Sequence, residues 1–334
     1  MIFSFRFKGM TNIDDNYGFA CSKDFQDFYE EYKTVLAKRQ GRWETNILND
    51  DKAKSEKILK RFVRKGIPPE IRKEYWLKIS GAEDQQKEHP NGYSTWKQEE
   101  KDSKLQIEVD KDLERTYPEN KYFRNGNQEE FLGKLKNVLL VLGHRNPDIG
   151  YCQGFNFVAA NLLLTVGDEE KVYWLMQCLI DKILPKDYYA KDMLALQVEQ
   201  QVLSTLVLKK MPKIGKHLQR FDINYALFST KWFICLFCDV LPIETANRVF
   251  DCLFNEGNKI LVRVGLALVK LLGPDLLKAD SFPDVISQFK KVEDDKRSLN
   301  CHEFMIAVFK DSGSLSKKDL EKLRLECLKT VGGS

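Results

Sequence analysis

The stretch Gly150-Tyr151-Cys152-Gln153-Gly154-Phe155-Asn156 runs directly into an apolar segment, Phe157 to Val166, and reading the two together decides the fold class. Phe155, Val158, Ala159, Leu162 and Leu163 fall at i, i+3, i+4, i+7 and i+8, the spacing of a buried helix face. At about 100° per residue, Gln153 lies roughly 200° from Phe155 and points away from that stripe. Two readings stay open from these residues alone. Glycines and an amide at a helix start can simply turn and cap the chain. A polar amide at the mouth of a buried helix is also well placed to meet a ligand.

Outward from this helix, the same periodicity recurs almost everywhere. Towards the N-terminus, Phe131, Leu135, Val138, Leu139 and Leu142 mark a helix over 128–143, and Leu105, Val109 and Leu113 mark a shorter one. Pro118 disfavours helical geometry at Tyr117, which places the end of that helix near Thr116. Arg115 then stands in a last turn or at the loop junction, three residues from Asp112, and in isolation the two read as a surface ion pair. Residues 82–104 are polar and read as a loop or a weakly ordered insertion. Gly66-Ile67-Pro68-Pro69 punctuates the chain before a helix over 70–80 that Gly81 stops, with Arg72 and Trp76 four apart on one face. The first 50 residues form a polar lead-in with one helix over 25–36. Residues 51–65 carry Lys52, Lys54, Lys57, Lys60, Arg61, Arg64 and Lys65, a solvated face or a surface for an acidic partner or anionic lipid.

Towards the C-terminus, helices are expected near 168–183, 191–211 and 213–221. The nearly continuous apolar run Phe228 to Leu241 must lie deep in a core. Helices over 244–254 and 260–272 follow, the latter ending at Gly273-Pro274, then three more in the tail, near 284–292, 301–309 and 317–328. No strand alternation or fixed-period repeat emerges. The expectation is an all-α fold of two packed helical lobes.

Composition narrows the function. Hydrophobic residues at 43% supply a sizeable core, while 53 Lys plus Arg against 49 Asp plus Glu leave a net charge of only +4, which argues against a nucleic-acid binder. No apolar run reaches the ~18–20 residues that span a bilayer, and Met1 to Lys8 lacks the apolar core of a secretory signal. Most of the eight cysteines sit in apolar helical segments, as reduced buried thiols do. Cys235-x-x-Cys238 has neither a second pair nor a nearby histidine, so zinc or redox chemistry is a remote reading. The chain reads as cytoplasmic, with no cofactor and no metal site of its own.

Phosphate loops of the GxxxxGK[ST] or GxGxxG kind, HExxH and GxSxG are all missing. A nucleotide pocket or a self-contained hydrolase is therefore not expected. What is left is an arginine near a helix end and a glutamine at a glycine-flanked turn. Those two side chains match what GTP hydrolysis on a partner protein needs: a cation on the charge developing between the β- and γ-phosphates, and an amide to orient water.

Three ordered motifs then carry a resemblance. Arg64-Lys65-Gly66-Ile67-Pro68 with Arg72-x-x-x-Trp76, Val109-x-x-Asp112-x-x-Arg115-Thr116, and Tyr151-Cys152-Gln153-Gly154-Phe155-Asn156 resemble the successive motifs of TBC-domain GTPase-activating proteins for Rab GTPases. Trp232-Phe233 through Leu241-Pro242 and Arg248-Val249-Phe250-Asp251 through Glu256-Gly257 resemble later landmarks of the family. Departures are mild: Val109 for isoleucine, Tyr117 for phenylalanine, Phe155 for methionine, Phe250 for tryptophan.

The resemblance implies a two-lobed TBC (Rab-GAP) domain over 64–292, with its motif core at 64–257, after a lead-in of 1–63 and before a helical tail of 293–334. It implies that Arg115 is an arginine finger and Gln153 a glutamine finger, supplied in trans to a GTP-loaded Rab that carries the GTP and Mg²⁺ itself. Asp112 would hold Arg115, Arg72 and Trp76 would brace the finger regions, and Tyr151, Gly154 and Asn156 would shape the Gln153 loop. The protein would be a GTPase activator in vesicle trafficking rather than an enzyme with its own substrate. It would join endomembranes only peripherally, through the Rab. The alternative is a scaffold that binds a Rab without accelerating hydrolysis.

Overall fold

The computed structural model describes residues 10–48, 55–124 and 128–332, so expectations placed on Met1 to Lys8, Lys52, Lys54 and the last two residues fall outside it. Among the described residues it contains seventeen α-helices and one short hairpin. The chain divides into two compact units. The first runs to Ile183 and also takes in Phe250–Asn255; the second holds Leu184–Val249 and the residues from Glu256 onward.

The first unit opens with the hairpin, β1 (Met10–Asp14) paired antiparallel to β2 (Ala20–Ser22), which the sequence did not announce because its strands are too short to show alternation. Helix α1 (Lys23–Trp43) is capped by Ser22, whose hydroxyl accepts the Phe25 N–H at 3.2 Å. It continues well past the expected end at Leu36. Trp43 pins it: the indole N–H donates to the Gly66 carbonyl at 3.0 Å and the ring meets Tyr75 edge-on at 4.9 Å. Helix α2 (Glu56–Lys65) stops at Gly66, whose φ of 113° is open to glycine, and α3 (Pro69–Ser80) starts with proline in its first turn.

Residues 82–104, expected as a loop, instead form α4 (Ala82–Glu88), α5 (Gly92–Gln98) and the start of α6 (Ser103–Leu113). Neither α4 nor α5 has an apolar period of its own. They are held by partners in α9 (Glu169–Cys178) and the wider turn after it: Gln86 donates to Glu170 at 3.1 Å, Gln85 to Asp181 at 3.0 Å, and the Tyr93 hydroxyl to Glu169 at 2.6 Å. Between them run α7 (Gln128–Arg145) and α8 (Phe155–Val166). The stripe Phe155, Val158, Ala159, Leu162 and Leu163 is fully buried, as expected, but so are Asn156, Ala160 and Asn161. Helix α8 is buried on nearly every side.

The second unit contains α10 (Leu194–Lys210), α11 (Pro212–Arg220), α12 (Ala226–Ile234), the first half of α13 (Ile243–Glu256), whose residues Phe250–Asn255 count with the first unit, α14 (Lys259–Leu276), α15 (Phe282–Lys290), α16 (Cys301–Lys310) and α17 (Lys317–Val331). The run 228–241 is buried as expected save for the exposed Lys231 and the half-buried Thr230, Ile234 and Asp239, with Phe228 stacked on Phe289 at 3.6 Å between centroids. Helix α14 passes through Pro274 rather than stopping before it. So near the helix end, proline forfeits a single i→i−4 bond and the last turn survives.

Candidate functional site

Helix α6 ends at Leu113, two to three residues before the point expected, and the chain turns at once: the Thr116 N–H bonds the Leu113 carbonyl at 3.1 Å and Tyr117 adopts φ 45°. Of the two placements expected for Arg115, the structure has the loop junction: the residue sits in an irregular turn just after the helix. Its guanidinium pairs with Asp112, and the exposures of the two side chains differ sharply, 33% for Arg115 against 3% for Asp112. The carboxylate is buried and anchored; the cation reaches solvent.

The second oxygen of Asp112 is held from across the unit. The Tyr151 hydroxyl donates to Asp112 Oδ2 at 2.6 Å, a charge-assisted bond at the short end of its range. Burial first, and then this bond, push the Tyr151 hydroxyl far above its ordinary pKa, so it stays a donor. Asn156, in the first turn of α8, closes the arrangement. Its Oδ1 accepts the Gly154 N–H at 3.2 Å and lies 3.3 Å from the Tyr151 hydroxyl, while its Nδ2 donates to Thr116 Oγ1 at 2.9 Å. The Thr116 hydroxyl donates back to the Asp112 carbonyl at 2.6 Å. Asp112, Thr116, Tyr151 and Asn156 therefore form one closed polar ring that ties the turn after α6 to the turn before α8. A largely buried polar network of this kind rigidifies both segments.

Gln153 lies in the second of those turns, ahead of α8 rather than on it, so the helical-wheel argument for its direction does not apply. The turn is set by Gly154, at φ 116° and ψ −22°, and by Gly150 at φ 64°. The outcome is nonetheless an exposed side chain. It makes no hydrogen bond among the described residues; the Gly154 N–H is capped by Asn156 instead. That removes the capping reading of Gln153. Next to it, burial and then the charge of Asp112 push the Cys152 thiol up to about 12, so it stays protonated.

Arg72 and Trp76 lie elsewhere. Both are fully buried and converge on Asp251: Arg72 Nε donates to Oδ1 at 3.2 Å, the Trp76 indole N–H to Oδ1 at 2.8 Å, and the Ile67 N–H to Oδ2 at 3.0 Å. Arg72 connects to the side that carries Arg115 through Tyr17, whose hydroxyl accepts from Nη1 at 3.0 Å. Of the expected set, Asp112, Arg115, Tyr151, Gly154 and Asn156 come together around the two turns. Arg72 and Trp76 form a separate core anchor. Thr116 and Tyr17 were not singled out as site residues; Thr116 stood inside a quoted motif, whereas nothing in the sequence pointed to Tyr17. Among the described residues no helix is long and apolar enough to cross a membrane.

The model of the Rab-GTPase-TBC domain family matches residues 69–277. The chain is 40% identical over 318 residues to human growth hormone-regulated TBC protein 1, covering 94% of each protein. Its fold superposes on the crystal structure of the Chlamydomonas flagellar RabGAP TBC domain with a TM-score of 0.79 at 27% identity, over 90% of this chain and 100% of that one. The Ypt/Rab-GAP domain of Gyp1p shares the fold at TM-score 0.68 and 17% identity, over 83% of this chain and 98% of that one. With its helical architecture, its domain match and its relatives in accord, the chain belongs to the TBC-domain family of Rab GTPase-activating proteins.

Proposed function

We propose that this protein accelerates GTP hydrolysis on a Rab GTPase by supplying Arg115 and Gln153 in trans. The observation that carries the reading is the ring through Asp112, Thr116, Tyr151 and Asn156, which anchors both turns while the side chains of Arg115 and Gln153 reach solvent. The partner would bring the GTP and Mg²⁺. Arg115 would then leave part of its contact with Asp112 and place its planar fork on the phosphate oxygens as charge develops there. The Gln153 amide would accept from and donate to the attacking water, holding it in line. An arginine supplied in trans is worth roughly 10³–10⁵ in rate, or about 4–7 kcal/mol of barrier at 1.36 kcal/mol per decade. Pre-ordering by the ring matters because a flexible arginine would lose much of that in entropy.

The test is single-turnover GTP hydrolysis across a panel of GTP-loaded Rabs, with wild type, Arg115→Ala and Gln153→Ala. Acceleration of one or a few Rabs that both variants lose supports the reading. Rabs that bind without any acceleration by wild type would favour a non-catalytic scaffold.

A further inference from the structure

The loop that carries Arg115 is held from two sides, and only one of them belongs to the matched domain. On the inner side is the ring already described. On the outer side is the turn between β1 and β2, residues 15–19, which precedes the matched span of 69–277 by some fifty residues.

That turn is stiff. The Asp15 carboxylate accepts the N–H groups of Tyr17 at 2.8 Å and Phe19 at 2.9 Å, and the Asp15 N–H bonds the Phe19 carbonyl at 2.8 Å. Gly18 stands at φ 87°, and a Cβ there would meet the Tyr122 ring at 2.7 Å, so the turn lies flush against the loop. Two of its carbonyls accept from the loop: Asn120 Nδ2 donates to Tyr17 O at 2.8 Å and the Lys121 N–H to Gly18 O at 2.9 Å. The Phe19 ring meets the Tyr117 ring edge-on, centroids 5.2 Å apart, and Tyr117 in turn meets Phe157 of α8 at 5.4 Å. Tyr117 is two residues from Arg115 and sits in the left-handed region, which a tyrosine holds only when its surroundings fix it. The buried Asn120 also donates its N–H to the Tyr117 carbonyl at 2.9 Å.

We propose that the 15–19 turn is a positioning element for the arginine finger. It locks Tyr117 and Asn120 from outside, and so fixes the direction in which Arg115 leaves the chain. This rests on Arg115 acting as the finger. Phe19, Gly18 and Tyr17 touch no reacting atom; they act through the loop. Their loss should lower the rate at saturation while leaving Rab binding alone, because a displacement of about 1 Å at a catalytic group costs up to a hundredfold.

The experiment uses the full chain and the GTP-loaded Rab that responds to wild type, with activator in excess, so that the maximal rate and the half-saturating concentration are read separately. Phe19→Ala should lower the maximal rate about tenfold with half-saturation within about twofold of wild type, and Phe19→Tyr should restore most of it. In an Arg115→Ala background, Phe19→Ala should cost nothing further, since the finger it positions is gone. An unchanged maximal rate for folded Phe19→Ala overturns the proposal, as does a loss that multiplies with that of Arg115→Ala. Should Phe19→Ala fail to fold, Gly18→Ala poses the same question with the same two overturning results. Full activity of Arg115→Ala itself would instead remove the finger assignment, a failure distinct from that of the turn.

Discussion

The Tyr151 hydroxyl donates to Asp112 Oδ2 across 2.6 Å, and through that bond the turn presenting Gln153 is fixed to the turn presenting Arg115. Asp112 serves both sides at once, one oxygen for each. The two candidate fingers are thus set by a single buried carboxylate, and neither turn can shift without disturbing the other.

Tyr151→Phe removes the donor and leaves Asp112 Oδ2 buried without it. Orphaning a buried acceptor costs about 1–3 kcal/mol, so the urea midpoint should fall measurably. The maximal rate of Rab GTP hydrolysis should fall about tenfold as both turns loosen. Equilibrium unfolding and single-turnover assays on the same preparation check this. If neither quantity moves, the bond does not organise the site.

Asp112→Asn separates charge from shape. The amide oxygen can still accept from Tyr151, but the ion pair with Arg115 is lost. Because Arg115 reaches solvent, it rehydrates once unpaired, and stability should change by less than about 1 kcal/mol. The rate should nevertheless drop ten- to a hundredfold, about 1.4–2.7 kcal/mol of barrier. A variant that loses stability but keeps its rate would show that the pair serves only the fold.

Exposed and structurally uncommitted, Gln153 should be replaceable without thermodynamic cost. Gln153→Ala should keep its unfolding free energy within about 0.5 kcal/mol of wild type and lose most of its acceleration. Arg115→Lys should also fail, because an ammonium cannot make the paired contacts of a planar guanidinium to phosphate oxygens. Pull-down of the GTP-loaded Rab should persist in both. A large fall in melting temperature for Gln153→Ala would return the residue to a capping role.

How much of this was legible follows from which interactions are local. The apolar periods of α7, α8 and α14 lie within single helices, and they read correctly. Arg115 and Gln153 stand in contiguous motifs and so could be picked out from the sequence, and the structure ties their two turns together. The segment 82–98 misread because Ala82–Glu88 and Gly92–Gln98 are helical through side-chain partners some 76 to 96 residues away in Glu169, Glu170 and Asp181. The hairpin was invisible because three- and five-residue strands carry no periodic signal. Gln153 illustrates a subtler case. Its exposure was anticipated from a helical wheel, yet it arises from the left-handed turn at Gly154. Tyr17 could not have been found: its hydroxyl meets Arg72 and its carbonyl meets Asn120, 55 and 103 residues on.

Arg72 and Asp251 pose the sharpest contrast with the fingers. Asp251→Ala would leave the Arg72 guanidinium, the Trp76 indole N–H and the Ile67 N–H without their shared acceptor in a fully buried position. Removing one partner of a buried ion pair costs about 3–5 kcal/mol, a large share of the roughly 5–15 kcal/mol that holds a domain together. The variant should melt far earlier and express poorly. Yet the molecules that remain folded should accelerate GTP hydrolysis near the wild-type rate once normalised to folded protein, because the ring around Asp112 does not include Asp251. The two measurements are a urea titration and a single-turnover assay corrected by the folded fraction. A normal midpoint with a lost rate would invert this assignment, and would mean that Arg72 works mainly through its bond to Tyr17 on the finger side.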